Sequence, residues 1–503
     1  MRQRLFRPTL SAAIAIGAIS SVPAHTQNAP SQDWAQFRGP NATGIARGSK
    51  APPIEFGPAK NVLWKTAVPS GHSSPVLWGN RIFLTAFDAE RKQQLVMGLD
   101  RTSGKVLWQH EVPYEKLGAV HQVSTPATAT PVVDGERVYA YFVNAGLVSY
   151  TLDGTLAWKL PLPAADVRFG SGTSPVIAAD LLILSRDTLA APTILAVDRR
   201  AGTIKWQVPR EIMTKVAPHS SYSTPVVVGD QVVVHGMGNV TAYDAATGEK
   251  RWWVLAPSTG TSTPAVVGDM VYVGTWIPFG EADQMTPLPD FATALKAYDT
   301  DGSGTLSQSE VAASKLRVFA RPEVPDVPGT SMSVPFALVD VDKSGDATAP
   351  EWAGLLATVD QMKSEHGLLA IKSGGRGDVT ATNVVWREKR SVPEVPSPLV
   401  YENRVYYVRN GGIVTCLDAA TGRVVFRERL GAPGPYYSSP IAAGGRLYMG
   451  SGEGALVVVA PGDALKVLAR NDLGEPIFAT PAVSSEGILY VRTPSALYAF
   501  AER

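Results

Sequence analysis

Cysteine is almost absent: Cys416 stands alone among 503 residues. No intramolecular disulfide can form, so the fold has to close by packing and strand pairing. The same scarcity leaves no Cys-x-x-Cys-His haem site and no lipid-anchoring cysteine near the N-terminus. Cys416 itself lies in an apolar, strand-like run, Ile413 to Leu417, and reads as a small buried residue. An excess of either charge is missing too. Lys and Arg number 46 against 45 Asp and Glu, a net charge of +1. This speaks against a uniformly basic surface for nucleic acid and against an acidic, solvating chain. There is no Gly-x-Ser-x-Gly elbow and no His-Glu-x-x-His pair. No apolar run is long enough to span a bilayer.

What is present begins with a leader. Arg2, Arg4 and Arg7 precede a short apolar stretch over residues 10–22, and Val22-Pro23-Ala24 fits a small-residue cleavage site. The expectation is a signal peptide over residues 1–24 and a periplasmic or secreted protein with no transmembrane segment. Residues 25–60 then form a lead-in.

The rest repeats. A Ser/Thr-Pro pair opens an apolar run at Ser74-Pro75, Thr130-Pro131, Ser174-Pro175, Thr224-Pro225, Thr263-Pro264, Ser397-Pro398, Ser439-Pro440 and Thr480-Pro481. The prolines are spaced 56, 44, 50, 39, 134, 42 and 41 apart. Residues 223–254 hold the clearest unit. Its proline tolerates the first position of a strand, Gly229-Asp230 makes a hairpin turn, and two β-branched runs follow. A fourth strand carries Trp252. Four short strands in such a repeat make one propeller blade. The fourth-strand aromatic recurs at Trp108, Trp158, Trp206, Trp386 and Phe426, where a large ring suits a seam between blades. The last unit has three strands before Arg503, and Asn61 to Lys65, with Trp64, supplies the missing fourth. The expected fold is all-β: an eight-bladed β-propeller over residues 61–278 and 367–503, closed by the N-terminal strand 61–68.

The spacing of 134 predicts an inserted domain over residues 279–366. It contains DTDGSGTLSQSE, which matches the twelve-residue EF-hand loop. Asp299, Asp301, Ser303, Thr305, Ser307 and Glu310 take positions 1, 3, 5, 7, 9 and 12, and Gly304 makes the turn at 6. In DVDKSGDATAPE, Asp340, Asp342, Ser344, Asp346, Thr348 and Glu351 take the same places around Gly345. Alternate oxygens wrap a hard cation, so two Ca2+ ions are expected. Helices are expected over Phe291–Tyr298, Gln308–Phe319, Val334–Val339 and Glu351–Met362. The insert should join the second and third strands of blade five. Strand parity then puts it on the face where blade-linking loops gather, beside His72, His121, Arg168, His219, Tyr222, Tyr436 and Tyr437. These residues are a candidate binding rim.

The units resemble the PQQ-type propeller repeat of quinoprotein dehydrogenases and BamB-like proteins. Trp34 to Pro40 is similar to a lead-in of exported proteins of that kind. The resemblance implies one of two functions. The first is a non-enzymatic scaffold for a protein or polymer ligand, to which the two acidic loops add calcium binding. The alternative is a PQQ-dependent oxidoreductase acting on an alcohol or sugar. The dehydrogenases typically carry an adjacent Cys-Cys pair at the quinone, and this chain has no such pair. PQQ is therefore disfavoured, and no catalytic residue is assigned.

Overall fold

The computed structural model describes residues 34–503, apart from 49, 119, 122, 166, 168, 189–190, 214–220, 278–279, 282–283, 285 and 321–330. The expected signal peptide lies outside the described residues, as do Arg168 and His219.

Eight antiparallel sheets of four principal strands form the ring. Their inner strands begin one residue after the repeated prolines, at Val76–Trp78, Val132–Val133, Val176–Ala178, Val226–Val228, Ala265–Val267, Leu399–Tyr401, Ile441–Ala443 and Ala482–Val483. The hydroxyl before each proline has a task that the repeat alone does not reveal. The Ser74 amide donates to Thr130 Oγ1, the Thr130 amide to Ser174 Oγ, and so on through Ser439 to Thr480 Oγ1. Seven such bonds, 2.9–3.1 Å long, stitch neighbouring blades around the axis. Each satisfies a buried amide that has no sheet partner.

The seams use the aromatics. Trp206 Nε1 donates to the Ala245 carbonyl of the next blade at 3.2 Å. Trp64, Trp108, Trp158 and Trp386 do the same across their own seams. The indole of Trp206 lies flat on Gly248, where a Cβ would stand 2.6 Å from the ring. Only glycine fits there, for reasons of space and of its φ of +76°. The seam between blades four and five departs from the pattern. Trp252 is fully buried and donates to Gln231 Oε1 of its own blade. Gly377–Asp378 from blade five pairs in parallel with Trp252 and Trp253, covering the outer edge of blade four.

The ring closes as expected. Val62–Ala67 pairs antiparallel with Ala496–Phe500, so the two ends of the chain share blade eight. The lead-in enters the central channel. Trp34 bridges to Leu77 of blade one, and Ile45 to Ala442 of blade seven. Between them Arg38 is fully buried and donates to the Pro398 carbonyl. Burial pulls its pKa down to about 9. Ala51 then packs on Gly444 and Arg446 bonds the Pro52 carbonyl at 2.7 Å. The lead-in thus occupies the face of the inner hairpins, opposite the blade-linking loops. Cys416 is buried, and burial raises its thiol to about 11.

Candidate metal centre and binding rim

Blade five runs Ala265–Val267, Met270–Thr275, Gly367–Lys372 and Val384–Glu388. Residues 276–366 therefore leave between its second and third strands. They form a small lobe with helices α1 (Phe291–Tyr298), α2 (Gln308–Ala313), α3 (Phe336–Val339) and α4 (Ala349–Glu365). Its own core holds Ala294, Leu306, Val311, Val339, Trp352 and Leu355. Trp276, Ile277 and Val392 of the propeller side join that core.

Four of the expected helix boundaries shift, two of them by two residues: α3 starts at Phe336 rather than Val334 and α4 at Ala349 rather than Glu351. Helix α2 stops at Ala313 rather than Phe319. Ser314 turns its hydroxyl back to the Val311 carbonyl, Lys315 takes φ +54°, and Arg317–Ala320 pairs as a strand with Ser331–Ser333. Helix α4 runs on to Glu365, three residues past the expected end, and buries Val359 and Met362.

The first acidic loop joins α1 to α2, the second α3 to α4. They meet through a two-residue antiparallel pair, Leu306 with Ala347 and Ser307 with Asp346. Ala347 is fully buried there, so its small side chain suits a position under Leu306. In each loop the first aspartate accepts amides from the turn ahead of it. Asp299 takes Gly302 at 2.8 Å, Ser303 at 3.1 Å and Gly304 at 3.0 Å. Asp340 takes Ser344 at 2.9 Å and Gly345 at 3.1 Å. Position 12 closes each loop from the opposite side. Glu310 accepts the Thr300 amide at 2.6 Å and Ser307 at 2.9 Å, in a capping box. Glu351 does likewise with Val341 and Thr348.

Carboxylate oxygens of Asp299, Asp301 and Glu310 come within 4.8 Å of one another, and so do those of Asp340, Asp342 and Glu351. Like charges this close repel unless a cation intervenes. Loop donors favour the ionised form of Glu310, Glu351 and Asp342. Thr300 and Ser307 pull Glu310 down to about 2. The Thr348 hydroxyl and amide lower Glu351, and Ser344 lowers Asp342. At position 5, Ser303 Oγ lies 3.2 Å from Thr305 Oγ1, and Ser344 Oγ donates to the Asp346 carbonyl at 3.1 Å. The position 9 hydroxyls, Ser307 and Thr348, bond the position 12 carboxylates and so serve as helix caps. All donors are oxygens, which suits a hard cation such as calcium.

The lobe stands on the face of the blade-linking loops. Thr259, in the loop before blade five, donates to the Trp276 carbonyl at 2.9 Å. Glu281, 3% exposed, reaches the loop before blade six. It accepts the Ser391 amide at 2.6 Å and the Val392 amide at 2.9 Å. His366 Nε2 lies 3.1 Å from the same carboxylate, and Arg409 3.4 Å.

Two aromatic groups line this face. His72, Phe478 and Tyr437 make one, with ring centroids 4.8 and 5.2 Å apart. His121, Phe169 and Tyr222 make the other, at 5.4 and 6.0 Å. His72 is neutral near pH 7, since burial and then Arg492 lower it to about 4. Tyr436 needs correcting. It is fully buried, with its hydroxyl on the Ala432 carbonyl and its amide on Asn410, and so belongs to the core. Tyr437, one residue on, takes the rim. Phe169 and Phe478 escaped the sequence reading. Phe478 had a signal: it precedes its Thr-Pro pair at the same offset as His72, Tyr222 and Tyr437.

Comparison with known proteins sets this geometry among relatives. A family model described as outer membrane protein assembly factor BamB matches residues 57–188, 190–349 and 362–502. The chain is similar to the outer membrane protein assembly factor BamB of Yersinia pestis, 26% identical over 220 residues, 41% of this chain and 50% of that protein. It thus spans about half the length of the curated relative it matches. Among solved structures it is similar to BamB from Moraxella catarrhalis, at 13% identity and a TM-score of 0.49 over 88% of this chain and 99% of that one. It is also similar to the quinohemoprotein alcohol dehydrogenase of Comamonas testosteroni, at 10% identity and 0.53 over 95% and 82%. At such identities the likeness is one of fold.

Proposed function

Since this chain belongs to the family of the outer membrane protein assembly factor BamB, we propose that it is a calcium-binding, non-enzymatic scaffold of the cell envelope, holding a protein or polymer ligand at its aromatic rim. Function on a rigid propeller resides in its loops. The observation that supports the reading is that the lobe with both acidic loops is rooted among the blade-linking loops, the segments that also carry His72, Phe478, Tyr437, His121, Phe169 and Tyr222. The relatives' name as assembly factors favours a protein ligand. Among the described residues no helix is long and apolar enough to cross a membrane.

Calcium calorimetry on the full chain tests the first half, with two ions expected and one in each of Glu310→Gln and Glu351→Gln. A photo-crosslinking residue at Phe478 or Tyr222 tests the second. Adducts are expected there, and not from Leu107 on the outer strand of blade one, which is 42% exposed. Turnover of an alcohol or sugar after addition of PQQ and calcium would contradict the scaffold reading and favour the dehydrogenase.

A further inference from the structure

Helix α4 links two places that the proposed function treats separately. Its first turn holds Glu351, which closes the second acidic loop. Its C-terminal cap is His366, with no exposed surface, whose ring faces Glu281. Gly367 follows at once as the first residue of blade five's third strand, paired with Thr275. No flexible linker separates the loop from the ring, so a shift at Glu351 has a stiff route to His366.

Glu281 is the hub beyond it. Its two oxygens hold the amides of Ser391 and Val392, and Arg409 stands beside them. The loop so held continues to Glu394, whose carboxylate takes a bond from Asn410 at 3.4 Å. Asn410 accepts the Tyr436 amide at 2.8 Å, and Gly411 bonds the Gly434 carbonyl at 2.8 Å. These contacts fix the loop that presents Tyr437 to Phe478. On the other side of the lobe's root, Trp276 holds Thr259, and Gly260 accepts the Tyr222 amide at 2.8 Å. The root therefore stands between the two aromatic groups and reaches each through an intervening loop, Thr259–Gly260 on one side and Ser391 to Asn410 on the other.

The geometry points to Glu281 as a latch: cation binding in the second loop orders α4, seats His366 against Glu281, and so sets the loops that carry the rim. The latch rests on the calcium reading above and adds its consequence for ligand binding. Two sites coupled in this way share a linkage free energy, so rim ligand and calcium would each tighten the other. The packing of His366 matters here, because Gly280 leaves no room for a Cβ against its ring, at 2.4 Å.

Hydrogen exchange on the full chain, with calcium and with chelator, reads the latch directly at Ser391 and Val392. Calcium should slow both amides at least about fivefold, and residues 434–437 with them. In Glu281→Gln, which removes one acceptor and the charge beside Arg409, calorimetry should still count two ions while the calcium-dependent protection is lost. In Glu351→Gln, one ion and the protection should vanish together. Two calcium ions bound to the wild type with unchanged exchange at Ser391 and Val392 would overturn the latch and leave calcium binding standing. Absence of any calcium binding would remove both. The wild-type comparison stands even where a variant fails to fold.

Discussion

Gly248 in the ring and Gly304 in the lobe have nearly the same backbone, φ +76° and +79°, and opposite surroundings. Gly248 carries the indole of Trp206, whereas Gly304 has nothing within 4 Å of its missing Cβ. The contrast extends to the regions around them. The ring is held by repeated aromatic seams and by amide-to-hydroxyl bonds, each blade supporting the next. The lobe gathers two sets of three carboxylates on exposed loops, each wrapped by the amides of its own loop. Clustered like charges of this kind would make the lobe's stability depend on a bound cation, as the proposed function requires.

The largest test breaks each region at its most buried ring. Trp252 and Trp352 are both fully buried. Either one replaced by Ala should cost about 4 kcal/mol. Trp252→Ala should lower the propeller's unfolding transition in urea. Trp352→Ala should unfold the lobe and abolish calcium binding while the propeller's transition stays in place. A single merged loss in both variants would deny that the regions are distinct.

Acid separates them next. His235 is fully buried, bonded through Nδ1 to the Ser262 carbonyl and Nε2 to Ser258, and burial lowers it to about 4. Its unfolded pKa is about 6.5, so below that value the unfolded chain takes up a proton that the folded ring refuses. The contribution is complete above pH 6.5 and is lost as the pH falls toward 4, by about 3 kcal/mol in all. Replacing His235 by Gln should flatten the propeller's stability between pH 7 and 4.5. An unchanged slope would assign the loss elsewhere.

A smaller effect sharpens the comparison at its origin. Ala at either glycine meets the left-handed backbone at a cost of about 1 kcal/mol. At Gly248 it also meets Trp206, which adds about 2 kcal/mol of overpacking. Equal losses from Gly248→Ala in the ring and Gly304→Ala in the lobe would show that the indole yields.

Much of this contrast was legible in the residues. The repeat announced eight blades, and the odd spacing announced an insert, because both are periodic features of the chain itself. The acidic loops were legible for a like reason: the carboxylates that gather in each lie within twelve residues of one another. What was not legible depends on neighbours distant in sequence. The hydroxyl of Thr224 matters through the Ser174 amide of the preceding blade. Tyr436 and Tyr437 are adjacent, and only the packing of blades six and seven decides which of them faces inward. Glu281, His366 and Arg409 carry no motif, yet they join the lobe to the ring. The partners of the lead-in were not legible either, since they lie far along the chain, on the inner strands of blades one and seven.

The most direct test is differential scanning calorimetry of the full chain in calcium and in chelator. Two transitions are expected, with calcium raising the lobe's and leaving the propeller's where it was. A propeller transition that moves as far as the lobe's, or two transitions indifferent to calcium, would contradict the account.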